Sequence, residues 1–233
     1  MRPSPAKFYD NALRLGVLLI LSLLGAAPVQ AGAADEQCWQ LIQQARGTLS
    51  HGDTKGALAT FAQASSINPA DPRPYFWQAL ILDEQGELNK AVDKYTECIA
   101  RAKEGGYDCA EMRVNLGNTL MKLNYLKEAE YDFQRALKID SRLNIAHLFL
   151  GRLYLERGQY QKALSELDIC NQQGFRDRSI PYLKALAFKE LGRKGDARAQ
   201  LEFLLRAHNP AAGEHDPLID RAAKLMFQIE AGK

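Results

Sequence analysis

Four cysteines (Cys38, Cys98, Cys109, Cys170) and four histidines (His51, His147, His208, His215) are the side chains here best suited to hold a metal or attack a carbonyl. Their spacing supports neither task. No His-Glu-x-x-His or Cys-x-x-Cys cluster brings ligands together, so no metal site is expected. Serine and cysteine nucleophiles lack a nearby base and a third group to orient it. Glycines fall mainly at repeat turns rather than in the runs that cradle phosphate, so no cofactor is expected either. The chain reads as a non-enzyme with no catalytic residue. One pair of thiols keeps two readings open. A helical hairpin turning near Glu104-Gly105 sets Cys98 opposite residues near Ala110, which permits a Cys98–Cys109 disulfide. Otherwise Cys98, like Cys170, is a small core residue.

The elements that position these residues repeat along the chain. Alanines recur at 57, 91, 129, 163 and 197, spaced by 34, 38, 34 and 34 residues. Twelve residues before each stands a small residue: Ala45, Ala79, Gly117, Gly151 and Ala185. Four residues after each stands a large apolar one: Phe61, Tyr95, Phe133, Leu167 and Leu201. Five before each is Gly52, Gly86, Asn124, Gly158 or Gly192, residue types that tolerate the positive φ of a helix C-terminus. This pattern describes two antiparallel helices per unit. The small residues let the backbones approach, and the large one fills the space between neighbouring units. Each unit alone buries too little, so stability must come from stacking.

These residues resemble the tetratricopeptide repeat family, whose pattern asks for small, Gly, small, aromatic and Ala residues at these offsets. Ala64, Cys98, Ala136, Cys170 and Leu204 stand at the family's second alanine, and Pro69 and Pro210 near its proline. The resemblance implies an all-α, right-handed α-solenoid of helix-turn-helix repeats with a C-terminal capping helix. The units are 38–71, 72–109, 110–143, 144–177 and 178–211. Residues 32–37 read as a short linker. The segment 212–233 reads as the cap, with Asp216-Pro217 starting a helix and Leu218, Ala222, Leu225 and Ile229 turned inward. Cys38 and Cys170 lie three units apart and are not expected to meet.

In this family the first helices of the repeats line a groove. Carried over position by position, the groove residues are Arg73, Phe76 and Leu80 in the second repeat and Val114 and Asn118 in the third. The fourth repeat adds Leu148 and Arg152, and the fifth Tyr182, Leu186 and Lys189. Asp83 and Lys122 add isolated charges to the same faces. Asn118 and Arg152 suit a peptide backbone or carboxylate, and Phe76, Leu148 and Tyr182 suit side chains. The resemblance thus implies a protein or peptide partner.

The N-terminus reads as an address label. Arg2, Lys7 and Arg14 precede an uncharged run from Leu15 to Ala27, followed by small residues at Ala31 and Ala33. A basic start, an apolar run too short to span a bilayer and a small-x-small site describe a secretory signal peptide over 1–31. The alternative is an uncleaved membrane anchor, which would be the only membrane contact. The whole chain of 233 residues carries 30 basic and 28 acidic residues. Residues 1–31 hold three of those bases and one acid, so the remainder balances at 27 of each. A balanced chain behind an export signal argues against a nucleic-acid partner. Charge is uneven locally: residues 178–211 carry seven bases and three acids, and 72–109 five and seven. The expectation is an exported adaptor, in a bacterial periplasm, that holds a peptide or helix of a partner during envelope assembly, secretion or enzyme maturation. The alternative is a structural protein that builds a homo-oligomer through its solenoid ends.

Overall fold

A computed structural model describes residues 32–106, 108–207 and 216–231. The 1–31 leader, His208, Pro210 and His215 fall outside the described residues. Among those described there are eleven α-helices and no strand. They form two compact units that divide between Leu143 and Asn144.

Unit 1 holds three antiparallel helix pairs. These are α1 (Ala33–Ser50) with α2 (Thr54–Ile67), α3 (Pro72–Glu84) with α4 (Leu88–Glu104), and α5 (Ala110–Lys122) with α6 (Leu126–Ile139). Unit 2 pairs α7 (Asn144–Glu156) with α8 (Tyr160–Gln172) and α9 (Ser179–Glu190) with α10 (Lys194–Ala207), and α11 (Pro217–Glu230) closes it. Within each unit the hairpins stack in the manner of an α-solenoid. Helix α4 has 17 residues where α2 and α6 have 14, and its following loop is one residue longer, which together make the 38-residue step.

The repeated positions have direct physical causes. Gly52, Gly86, Gly158 and Gly192 all take positive φ, and Asn124 does so at 65° as the sole non-glycine among the described residues. A Cβ added to Gly117 would stand 2.7 Å from the Phe133 ring, and one added to Gly151 would stand 2.8 Å from Leu167. The large apolar residue therefore seats against the small residue of its own hairpin, and Leu167 and Leu201 also join core clusters that reach the next element at Ile180 and Leu225. Residues 33–37, expected as a linker, are the first turn of α1, where Asp35 Oδ2 accepts the Gly32 N–H at 2.9 Å. Helix α3 starts on Asp71, whose Oδ1 accepts the Arg73 N–H at 2.9 Å, with Pro72 at the first helical position. Asp216 caps α11 in the same way, accepting the Leu218 N–H at 2.9 Å.

The aromatic part of the unit 1 core stacks Phe61 flat against Trp77 at 5.7 Å and sets Phe76 edge-on to Tyr95 at 6.1 Å. The core of unit 2 is mainly aliphatic, with the rings of Phe149 and Tyr154 also buried. Leu148, Leu167, Cys170 and Ile180 form one cluster, and Ala185, Leu201, Leu204, Ala222, Leu225 and Ile229 another. The second cluster makes α11 a cap: its inward stripe covers the apolar side of α9 and α10.

Candidate partner-binding face

Two first helices of unit 1, α3 and α5, are buried along most of their length. Helix α3 packs against α2 and α4, and α5 packs against α4 and α6. Residues 74–83 and 112–121 are buried without interruption. Phe76, Leu80, Val114 and Asn118, carried over as groove residues, are all buried in this structure. Asn118 is 1% exposed, and its Oδ1 accepts no hydrogen bond. Arg73 reaches the same helix from its rim. Its guanidinium donates to Asp71 in a fork, NH2 to Oδ2 at 2.6 Å and Nε to Oδ1 at 2.9 Å, and lies 5.0 Å from the Trp39 ring.

Charges inside unit 1 are paired between helices. Lys122 of α5 meets Asp83 of α3, and Thr119 Oγ1 donates to Asp83 Oδ1 at 2.8 Å. The two charges read from sequence as separate groove features thus neutralise each other. Arg113 makes a second knot. Its Nε and NH2 donate to the two carboxylate oxygens of Asp108 at 2.9 Å, and its NH1 donates to Asp132 Oδ1 at 3.2 Å. Burial pushes the Asp132 carboxyl above the usual range, against the pull of Arg113.

Unit 2 presents a different face. Leu148 is core, as its cluster requires. Arg152 is half-buried, with its guanidinium 5.7 Å from the Phe149 ring. On α9, Tyr182, Leu186 and Lys189 fall at i, i+4 and i+7, one stripe of a helix, and all three are half-buried. Tyr182 and Leu186 lean on the α9–α11 cluster, and burial raises the Tyr182 phenol, opposed by Arg221. Lys189 Nζ stands 3.6 Å from Glu190. Nearby, His147 Nδ1 lies 2.7 Å from Glu166, and Lys184 Nζ lies 2.6 Å from Asp168. The structure thus groups Arg73, Phe76, Leu80, Val114 and Asn118 in unit 1, mostly inside, and leaves Arg152, Tyr182 and Lys189 partly open in unit 2.

All four cysteines are free thiols. Cys98 Sγ lies 3.2 Å from both the Pro72 carbonyl oxygen and Met112 Sδ, and Cys109 Sγ donates to Glu111 Oε2 at 3.0 Å. Of the two sequence readings for this pair, the structure holds the unbridged one, with Cys98 as a small core residue. Burial raises Cys38, Cys109 and Cys170 to about 12, and it raises Cys98 further still. No group of three or more His, Cys, Asp or Glu among the described residues could hold a metal ion. No described helix is long and apolar enough to cross a membrane.

Stacked helical hairpins with paired charges inside and a half-open stripe on a first helix define a repeat protein of the interaction class. The tetratricopeptide repeat model matches residues 42–105 and 114–169, more than half of the chain, and the protein belongs to that family. The human mitochondrial import receptor subunit TOM70 is 24% identical over 140 residues, covering 59% of this chain and 22% of the receptor. The rat receptor gives the same figures. The chain thus spans about a fifth of the length of these curated relatives. Among solved structures, a tetratricopeptide repeat protein from Parabacteroides merdae superposes with TM-score 0.69 at 19% identity, covering 84% of this chain and 74% of that one. YrrB, described as having an unusual peptide-binding site, superposes at 0.63 with 18% identity, covering 84% of this chain and all of that one. MamA from Desulfovibrio magneticus superposes at 0.68 with 13% identity, over 79% of this chain and 100% of that one. At these identities the likeness is one of fold.

Proposed function

We propose that this protein is a non-catalytic adaptor whose unit 2 holds an extended peptide or a helix of a partner protein. The observation that carries this reading is the α9 stripe of Tyr182, Leu186 and Lys189, joined within unit 2 by Arg152 of α7. An aromatic ring with a phenol, a leucine and two cations suit a segment that alternates large apolar side chains with carboxylates. Peptide binding by YrrB and the import-receptor role of the TOM70 relatives support a peptide ligand. The partner acts in cell-envelope assembly, secretion or enzyme maturation. The protein works in a bacterial periplasm after export by its 1–31 leader, or is held at the membrane by that segment when uncleaved. Its composition of three bases, an uncharged apolar run and small residues supports export.

Crosslinking in intact cells, followed by pull-down and identification of what is caught, tests the adaptor reading. The expected result is one dominant envelope protein whose crosslinks map to α7 and α9. Crosslinks confined to unit 1 would refute the assignment of this face. Fractionation with N-terminal sequencing of the recovered protein tests export. A start at Gly32, in the periplasmic fraction, is expected, and an intact Met1 in the cytoplasm would refute it.

A further inference from the structure

Two surfaces, one near each end of the described chain, are left uncovered by their own units. In unit 1 an open cleft of about 470 Å³ lies between α1 and α2, bordered by Leu41, Ala59, Ala62, Gln63, Ser66 and Ile67. That volume is within the roughly 300–1,000 Å³ of ordinary binding pockets. The space exists because α2 turns small side chains, Ala59, Ala62 and Ser66, toward a helix that offers Leu41 there. In unit 2, α11 points Ala222, Leu225 and Ile229 inward and holds Phe227 outward, 71% exposed. Lys224 is exposed one turn before Phe227 on the same side of the helix. A large ring left in water on a capping helix does nothing for its own unit.

The charges of the two units are complementary. Residues 32–143 carry 13 bases and 16 acids, a balance of −3, and residues 144–233 carry 14 bases and 11 acids, a balance of +3. Asp35 and Glu36 directly precede Gln37, which lines one end of the α1–α2 cleft. We propose that the α1–α2 cleft of one copy receives Phe227 of a second copy, with Lys224 directed at Asp35 and Glu36. Burying a phenylalanine removes about 150–250 Å² from water, and opposite unit charges steer the two copies together. Each copy has one cleft and one ring, so the contact joins unlike surfaces head-to-tail, cleft of one copy to ring of another. This contact uses neither Arg152 nor the α9 stripe, so it stands apart from partner capture.

The test is light scattering on the purified full chain over a concentration series, for wild type, A62R, F227E and an equal mixture of the two variants. Wild type is expected to gain mass with concentration and to lose it as salt rises. A62R blocks the cleft and F227E removes the ring, so each variant alone stays monomeric. In the mixture, A62R supplies the ring and F227E the cleft, so mass rises to a dimer and stops. A monomeric wild type at every concentration overturns the proposal, as does association that survives both variants. A mixture that stays monomeric overturns the head-to-tail arrangement and the proposal with it. Helical melts of each variant confirm folding, and A59E replaces A62R as the cleft block if A62R lowers the melt.

Discussion

Unit 1 keeps eight polar or charged side chains in its interior among the described residues, from Asp71 and Gln78 to Arg113 and Asp132, whereas unit 2 keeps one, His147. The same repeat is thus stabilised in two ways. In unit 1 the helices are aligned by ion pairs that must be complete, because a buried charge without its partner costs several kcal/mol. In unit 2 a mainly aliphatic core does the holding, and most of its charged side chains, Arg152 and Lys189 among them, are at least partly exposed. The contrast is that unit 1 buries charges as pairs, while unit 2 keeps most of its charged side chains at least partly exposed.

The sharpest way to break this contrast is Arg113→Ala. It leaves Asp108 and the largely buried Asp132 without their guanidinium and is expected to cost about 3 kcal/mol in urea unfolding. Lys184→Ala in unit 2 breaks a pair whose Asp168 is half in solvent, and is expected to cost under about 1 kcal/mol. Equal losses would erase the difference between the units.

Removing the cap of α11 comes next. Asp216→Ala is expected to cost about 1 kcal/mol and to raise amide exchange in α11 while α3 and α5 stay protected. Exchange rising in unit 1 as well would show that the units do not open separately.

Acid titration then sets the two carboxylates against each other. Burial raises Asp132, so its contribution is in place below the ordinary carboxylate value near 4 and is lost as pH rises through its raised pKa. Partial burial also pushes Asp216 up. Arg178 and the Leu218 and Ile219 amides more than reverse it, so its contribution is in place above that value and is lost as pH falls through its lowered pKa. Stability measured from pH 3 to 7 should therefore lose opposite slopes in D132N and D216N, and slopes of one sign would refute these environments.

The smallest perturbation is thiol labelling. Four thiols are expected in denaturant without reductant, and very slow labelling in the folded protein near pH 8, since every thiol is raised. Two thiols in denaturant would establish the Cys98–Cys109 bridge.

The helical hairpins were legible because a period of 34 marks the same contacts in every repeat. Gly117 against Phe133 and Gly151 against Leu167 are pairs sixteen residues apart that sequence alone exposes as small and large. Asn124 was legible as a turn because few other residues accept its φ. The ion pairs were not. Arg113 meets Asp108 five residues before it and Asp132 nineteen after it, on a different helix, and such charges read as solvated in any window. Family positions named the buried Phe76, Leu80, Val114, Asn118 and Leu148 together with the half-buried Arg152, Tyr182 and Lys189, because a position on a helix fixes direction but not what lies opposite. Leu41, Ala62 and Phe227 carried no signal at all, since a cleft is defined by the side chains that fail to fill it.

The most direct test of partner capture by unit 2 is a pair of charge reversals of equal size. R152E/K189E changes the α7–α9 face, and K55E/K127E changes exposed lysines of unit 1 by the same net charge. With the helical melts matched, R152E/K189E should reduce the crosslinked partner recovered from the cell envelope by about tenfold, while K55E/K127E leaves recovery at the wild-type level. Recovery unchanged by R152E/K189E, or reduced equally by both, would contradict the assignment of binding to unit 2.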